Sequence, residues 1–368
     1  MKKRQACHGA QTLLAFILTV FINSVGTAAD TPPAAPLVGG GCVGDCNGDG
    51  HVTVDEIVTG VNIALGNVDV LTCENYEANG PVTVYVILTA VSEALNGCPV
   101  AVPGTISGTA VKGPVSNATV RAMAIGANGV PGAQIGSALT DEGGNFTIQV
   151  GKYSGPLMLE MTGGSFSDEA TGVRMEMGAT DMMTAAIPNM TADTALNGIE
   201  ITPLTSMAQS MAQHMSGGMT QANIMQTNSA VGMYFDVSDI LSVHPMDPTA
   251  SGAGGLANQD QKNYGMTMAA MSKYANMIGM PITSGMVTAM MDDASDGIMN
   301  GMMGGTRIGM GGMGGMMGGT MMQSNAGTAG LANAMTSFML SAQNRSGLIL
   351  QDMQSLIDKL AAANGVIQ

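Results

Sequence analysis

The sequence has few charged and few aromatic residues. Asp, Glu, Lys and Arg make up 11% of its 368 residues, aromatic residues make up 3%, and Trp is absent. Without a cluster of aromatic rings, a platform on which sugars stack is poorly supported. The formal net charge is -15, so no basic surface is available for nucleic acid or for an anionic membrane.

Recognisable catalytic motifs are missing as well. The chain has no His-Glu-x-x-His, Gly-x-Ser-x-Gly, Ser-x-x-Lys or phosphate-binding Gly-x-x-x-x-Gly-Lys-Ser/Thr sequence. His214 and His244 have no partner at a recognisable spacing, and Asp292, Asp293 and Asp296 favour a solvated acidic face over a catalytic pair. We therefore expect a non-catalytic protein, with a hydrolase whose catalytic residues are scattered along the chain as an alternative.

The only apolar run of note lies near the N-terminus. Lys2-Lys3-Arg4, an apolar stretch over 13–22 and Thr27-Ala28-Ala29 together are typical of a cleaved signal peptide over residues 1–29. An uncleaved anchor is the alternative, although the run is short for a membrane span. No later segment is apolar enough to cross a bilayer, so we expect a protein that is secreted or held on the outer cell surface, with the periplasm as a further location. Residues 30–41 are rich in Pro and Gly and are typical of a flexible linker.

The next segment carries the most specific signal in the chain. Gly50 stands at position 6 of a twelve-residue loop, where an EF-hand calcium loop turns sharply. Residues of the types that bind Ca²⁺ occupy positions 1, 3, 5, 7, 9 and 12, the seventh through its backbone carbonyl and the ninth through water: Asp45, Asn47, Asp49, His51, Thr53 and Glu56. A solvated Asn-Gly/Asp-Gly turn is the plainer alternative.

A helix should follow this loop over 57–65, and a second loop–helix copy comes after it. Val82-Thr83-Val84 matches Val52-Thr53-Val54, and a helix is predicted over 85–95. Val86 stands where the bidentate carboxylate should be, so the second copy should bind no Ca²⁺.

Four cysteines bracket these two copies: Cys42, Cys46, Cys73 and Cys98. An even number in a small exported segment predicts two disulfides, and the three pairings that four cysteines allow remain open. A zinc site is the rival, but paired Cys-x-x-Cys spacing is lacking.

Two loop–helix units bracketed by cysteines resemble a type I dockerin, or a dockerin-like EF-hand pair of exported bacterial proteins, over residues 42–98. The resemblance implies calcium-ligand roles for Asp45, Asn47, Asp49, Glu56 and the carbonyl of His51. We expect the module to act as a docking or cell-surface adhesion element.

Residues 104–202 alternate between apolar and polar positions, which predicts an antiparallel β-sandwich. Strands are expected over 119–124, 146–150, 157–161 and 173–177. Thr140 to Asn145 should form a turn, with a second cation site as the alternative. Gly108 to Val120, together with this turn and Phe146, resembles the carboxypeptidase-regulatory-like β-sandwich, which implies a non-catalytic spacer.

Residues 203–368 should form a helical domain. Thr202 is a predicted N-cap with Pro203 in the first turn, and further helices are predicted over 221–234, 259–280, 285–303, 331–344 and 351–364. The segment 301–322 is low-complexity Gly/Met sequence. Most of the 36 methionines lie in this half. Those at helical spacing are interpreted as core residues: Met207, Met211, Met215, Met268 and Met271.

These predictions describe a multidomain α+β protein that is exported, binds Ca²⁺ and docks to a protein or cell-surface partner. The Gly/Met loop leaves one alternative, because closely spaced thioethers bind Cu(I). In that case the protein would be an exported copper-binding protein that uses Met302 to Met322.

Overall fold

The computed structural model describes residues 43–47, 49, 51–76, 82–97, 104–309, 321–322 and 327–367. The predicted signal peptide, the linker over 30–41, Cys42, Cys98 and the centre of the Gly/Met loop lie outside the described residues. The chain divides into two compact units, residues 1–101 and 102–368. Helices and antiparallel strand pairs both occur, so the protein has a mixed α+β fold.

Among its described residues the first unit contains two helices, α1 (Val54–Ala64) and α2 (Val84–Asn96), with short 3₁₀ turns at Val70–Thr72 and Glu74–Tyr76 between them. Each helix begins directly after a threonine whose hydroxyl caps it, Thr53 for α1 and Thr83 for α2. The two helices predicted here are thereby confirmed. Their inner faces share a small core: Val52, Ile57, Cys73, Tyr76, Ile87 and Ala90.

The second unit begins with strands. Their bounds are β1 Gly104–Ala110, β2 Thr119–Ile125, β3 Pro131–Leu139, β4 Asn145–Gly151, β5 Gly155–Thr162, β6 Ser165–Ser167, β7 Arg174–Glu176, β8 Met182–Met190 and β9 Ala195–Ile201. One sheet has the order β4-β1-β9 and another the order β3-β2-β5-β8, while β6 pairs with β7. All the pairs are antiparallel except β1 with β9, which is parallel. The prediction of a purely antiparallel arrangement is wrong at this pair, because the chain leaves β8 in one sheet and crosses to the other before it forms β9.

Alternation along the strands produces a core that both sheets share. Phe146, Ile148 and Val150 are buried with exposed residues between them, as their spacing predicts. They join Leu157 and Leu159 of β5 in one apolar cluster. Met158, between those two leucines, belongs to a separate cluster with residues of the following helices.

Those helices are α3 (Pro203–His214), α4 (Gln221–Tyr234), α5 (Gln259–Met277), α6 (Gly285–Ala294), α7 (Gly327–Met339) and α8 (Leu350–Ala362). The Thr202 cap with Pro203 in the first turn is confirmed, as is the helix over 221–234. The helix predicted over 285–303 is wrong beyond Ala294. Gly297, with φ of +81°, turns the chain there, and the short strands β10 (Met302–Met303) and β11 (Thr306–Arg307) follow.

Residues 104–202 and 203–368, predicted as separate domains, fall within one compact unit. Strand β9 runs directly into α3, and α3 lies on β8. The Thr184 amide donates to the Ser206 hydroxyl at 2.8 Å, and the Thr205 hydroxyl donates to the Thr184 carbonyl at 2.8 Å. These buried hydrogen bonds join sheet and helix where the sequence predicted a domain boundary.

In the part of the chain that the structure describes, no helix is both long enough and apolar enough to cross a membrane.

Candidate functional site

The predicted calcium loop ends on the first turn of α1, where Glu56 and Thr53 form a reciprocal cap. The Glu56 amide donates to the Thr53 hydroxyl at 3.4 Å, and Oε2 of Glu56 accepts from the Thr53 amide at 2.8 Å. The Thr53 hydroxyl donates to the same oxygen at 2.8 Å. This capping box fixes the Glu56 carboxylate at the start of the helix, in a largely buried position.

The other Glu56 oxygen reaches back across the loop. Oε1 accepts from the amides of Cys46 at 2.9 Å and Asn47 at 3.3 Å. The carboxylate therefore connects loop positions 2 and 3 to position 12 through backbone amides, whereas a bidentate ligand in a calcium loop turns both oxygens to the ion.

Side-chain oxygens at positions 1 and 3 gather around one backbone amide. The Asp49 amide donates to Oδ1 of Asp45 at 3.2 Å and to Oδ1 of Asn47 at 2.8 Å. Asp49 in turn accepts at Oδ1 from the His51 amide at 2.9 Å, and Asp45 is almost fully buried. The structure thus brings Asp45, Asn47 and Asp49 together on one turn of chain.

The donor chemistry fits Ca²⁺, since carboxylate and amide oxygens are its preferred ligands. The geometry fits less closely. Among the described residues, no three Asp, Glu, His or Cys side chains are gathered closely enough to hold one metal ion. Each Glu56 oxygen already accepts two hydrogen bonds, so bidentate binding of a cation would require this carboxylate to exchange some of its N–H and O–H donors for the ion.

Contacts from the following segment hold the loop in place. Cys46 and Cys73 form a disulfide, which agrees with the predicted use of cysteines, while Cys42 and Cys98 lie outside the described residues. Nδ2 of Asn75 donates to the Asp45 carbonyl, and the Tyr76 hydroxyl donates to the Glu56 carbonyl at 3.2 Å. Burial, with the nearby charges of Glu56 and Glu93, raises the pKa of Tyr76 to about 12.

Asn75 and Tyr76 are the residues that sequence reasoning missed. The sequence signal that could have indicated them is their place shortly after Cys73. A disulfide from Cys73 to the loop brings the residues that follow it close to the loop. Tyr76 also contacts α1 closely: a Cβ added to Gly60 would lie 2.3 Å from Cζ of its ring.

A second feature of this unit is apolar surface on the outer sides of both helices. A residue and those four and eleven positions after it lie on the same face of a helix. Each copy has three apolar residues at this spacing, and their side chains are between 39% and 71% exposed. Each member of the first set has its counterpart thirty positions further along the chain: Val54 and Val58 in α1 with Leu65 directly after it, then Val84, Leu88 and Leu95 in α2. Apolar spacing alone does not distinguish this exposed face from a buried one.

The second copy has the helix and cap of the first. Thr83 caps α2 through the Val86 amide at 3.5 Å. Part of its loop, 77–81, lies outside the described residues. Val86 occupies the position that Glu56 has in the first copy.

The methionines at helical spacing are mostly core residues. Met207, Met211, Met268 and Met271 are buried, and Met215 is partly exposed. At the ends of the Gly/Met loop Met303 and Met321 are exposed, whereas Met322 is fully buried. Residues 310–320 lie outside the described residues, so binding of Cu(I) there stays a prediction.

Of the acidic residues near the end of α6, Asp296 is exposed and Asp292 is partly exposed, so the interpretation as a solvated face is wrong only for Asp293. Asp293 is fully buried and accepts from the amides of Asn300 at 2.9 Å and Gly301 at 2.6 Å. Burial raises the pKa of Asp293 to about 6, and burial also raises the pKa of Asp292. Asp293 thereby stabilises the turn of the chain after α6.

His244 has a partner that the sequence did not indicate. Nδ1 of His244 lies 2.9 Å from Oε1 of buried Glu200, and this hydrogen bond raises the pKa of His244. Burial raises the pKa of Glu200 despite the histidine. Nδ1 of His214, by contrast, lies 2.8 Å from the backbone carbonyl oxygen of Ser210 in its own helix.

Comparison with known proteins gives no relative: no protein-family model matches this chain, and neither a curated protein nor a solved structure is significantly similar to it.

Proposed function

We propose that the chain is an exported, non-catalytic modular protein whose residues 42–98 form a calcium-ordered docking module. The exposed apolar faces of α1 and α2 are the observation that carries this proposal. A pair of small helices that leaves matching apolar rows in water has a surface suited to a partner.

Calcium has a distinct part in this proposal. The core of the module is small, and small cores rely on disulfides or metal ions for stability. An ion held by Asp45, Asn47, Asp49, the His51 carbonyl and Glu56, with Thr53 acting through water, would fix the start of α1. Binding free energy then becomes folding free energy, and the docking faces form when Ca²⁺ is present.

The disulfide Cys46–Cys73 supports export, because disulfides persist mainly in oxidising compartments. For residues 104–202, the apolar cluster shared by two sheets supports a β-sandwich. We assign that segment the role of a spacer.

The test of the calcium part is a thermal melt of residues 30–368 in millimolar Ca²⁺ and in EGTA. Ca²⁺ at about a hundred times its Kd should stabilise the module by about 2.7 kcal/mol. Glu56→Gln should abolish the difference between the two conditions. Asp55→Asn removes the same charge from an exposed neighbour and should retain it. A wild-type melt that is identical in Ca²⁺ and EGTA would refute the calcium role.

The docking part is tested by binding of the exported protein to the surface of the cells that produce it. Val58→Asp and Leu88→Asp place a charge on each outer face and should each reduce calcium-dependent binding at least tenfold. Val130→Asp, at an exposed apolar residue of the other unit, is the matched control. Equal binding by all three variants would contradict docking through these faces.

A further inference from the structure

Three side chains that bind soft metal ions lie together where α3 ends. Met211 is followed three and four positions later by His214 and Met215. The Met215 amide still donates to the Met211 carbonyl at 3.1 Å, so helical geometry continues through the last of the three. Side chains at this spacing lie on one face of a helix. Two thioethers and one imidazole therefore share one face of α3 within a single turn.

All three side chains line one cavity of about 260 Å³. Other parts of its wall come from α4 and from Gly297 in the turn after α6. A Cβ added to Gly297 would lie 3.9 Å from Cε of Met211, so the end of this methionine reaches that turn. Met211 is 8% exposed, whereas Met215 is partly exposed and His214 is exposed. The cavity thus joins one nearly buried thioether to two donors that solvent reaches.

A hydrogen bond determines which nitrogen of His214 is available. Nδ1 of His214 lies 2.8 Å from the carbonyl oxygen of Ser210, one turn earlier in the helix. A carbonyl oxygen only accepts, so the neutral ring donates its Nδ1 proton and carries its lone pair on Nε2. A backbone carbonyl at Nδ1 is a common partner of a histidine whose Nε2 binds a metal ion, because it fixes both the tautomer and the orientation of the ring.

We propose that this cavity binds one Cu(I) ion through the thioethers of Met211 and Met215 and through Nε2 of His214. Thioether sulfur is a soft ligand that selects Cu(I), and imidazole is a ligand for copper as well. The charges around the cavity also favour a cation. The C-terminal end of a helix carries a partial negative charge, and the exposed carboxylate of Asp296 lines the same cavity.

The donor set favours Cu(I) over a hard divalent ion. Ca²⁺ and Mg²⁺ need several oxygen ligands, and in the described part of the chain no three Asp, Glu, His or Cys side chains are gathered for one ion. The site shares no residue with the Gly/Met loop or with the calcium loop. It does not depend on the function proposed for residues 42–98.

The first experiment is an anaerobic titration of the mature chain with Cu(I) in competition with the chromogenic chelator bicinchoninate. Met211→Leu and His214→Gln should each weaken Cu(I) binding at least about tenfold, because loss of a ligand should cost no less than loss of a residue that orients one. Leu has nearly the volume of Met, so the fold should be retained. Met225→Leu makes the same substitution at an exposed methionine of α4 and should change the affinity less than about threefold.

A second measurement on the unaltered chain does not depend on the folding of any variant. Ag(I) has the charge and the ligand preference of Cu(I) and is stable in air. In ¹⁵N-labelled protein, Ag(I) should shift the resonance of Nε2 of His214 and leave Nδ1 protonated. Coordination through Nε2 is what the hydrogen bond from Nδ1 to Ser210 requires.

Three results would overturn the proposal. The first is a mature chain that takes no Cu(I) from the chelator. The second is wild-type Cu(I) affinity in folded Met211→Leu or His214→Gln, or an equal loss in Met225→Leu, since either would place the binding on other methionines of the chain. The third is an Ag(I) titration that shifts neither nitrogen of His214 or that deprotonates Nδ1.

Discussion

The two loop–helix units of residues 43–97 are alike in their helices and differ in their loops. Both helices follow a capping threonine, both bury an isoleucine four residues after it, Ile57 and Ile87, and both expose apolar residues at matching positions. Only the first copy has a carboxylate in the first turn that reaches back across its loop. The second has Val86 at that position.

This difference separates two roles. Both loop–helix copies have the exposed apolar face, so that face is suited to a surface made by the pair. Only the first copy has the ligand set from Asp45 to Glu56, which is suited to a single ion that stabilises the pair. The proposed function rests on this division between a paired apolar surface and a single ion site.

The largest effect should come from the disulfide that joins the first loop to the segment before the second. Cys46 and Cys73 are 27 residues apart, and closure of a loop of that length is worth about 3.5 kcal/mol by chain entropy. The double variant Cys46→Ser/Cys73→Ser should lower the free energy of unfolding of the module by about that amount in chemical denaturation. The transition of residues 102–368 is the internal control and should not move. An unchanged free energy of unfolding would show that the apolar core stabilises the module without the disulfide.

A smaller effect is expected where α1 meets Tyr76. Gly60→Ala would place a Cβ 2.3 Å from Cζ of the ring, an overpacking that costs about 1–3 kcal/mol. The counterpart Ala90 is fully buried in α2, and Ala90→Gly should cost about 1 kcal/mol through helix propensity. Chemical denaturation of the two variants compares the loss of stability in the two loop–helix copies directly. The control is Gly255→Ala, where nothing lies within 4 Å of the added Cβ. A Gly60→Ala variant as stable as that control would contradict the packing described for Tyr76.

The smallest effect should come from the caps. Thr53→Ala and Thr83→Ala each remove a hydroxyl that accepts from a backbone amide, at a cost of about 1 kcal/mol. In EGTA, Thr53→Ala should be destabilised more than Thr83→Ala, because the Thr53 hydroxyl also donates to Oε2 of Glu56, a hydrogen bond with no counterpart in the second copy. In Ca²⁺, Thr53→Ala alone should also show a reduced calcium-dependent shift, because Thr53 belongs to the predicted ligand set. Equal shifts would remove Thr53 from that set.

Local signals in the sequence predicted the local structure well. Thr202 with Pro203, and the apolar periods of β4 and β5, indicated elements that the structure contains, because caps and alternation act between near neighbours. The spacing from Asp45 to Glu56 predicted which residues would form the loop. In the structure Glu56 accepts hydrogen bonds from the amides of Cys46 and Asn47 near the other end of this segment, while calcium binding by the segment stays a prediction.

Contacts between distant residues could not be predicted from one sequence. Tyr76 supports Glu56 from twenty residues away, and Lys112 meets Ser272 from 160 residues away. The parallel pairing of β1 with β9 depends on a crossover between sheets, which strand periodicity does not encode. The same holds for the packing of α3 on β8, which places 104–202 and 203–368 in one unit.

The most direct test of the account is the number of calcium ions bound per chain. Equilibrium dialysis of metal-free mature protein should give one Ca²⁺ per chain, lost in Asp45→Asn and in Glu56→Gln. Asp141→Asn, in the exposed turn that was the alternative cation site, should still bind one. A stoichiometry of zero, or one that survives Asp45→Asn and disappears in Asp141→Asn, would contradict the assignment of calcium to the first loop.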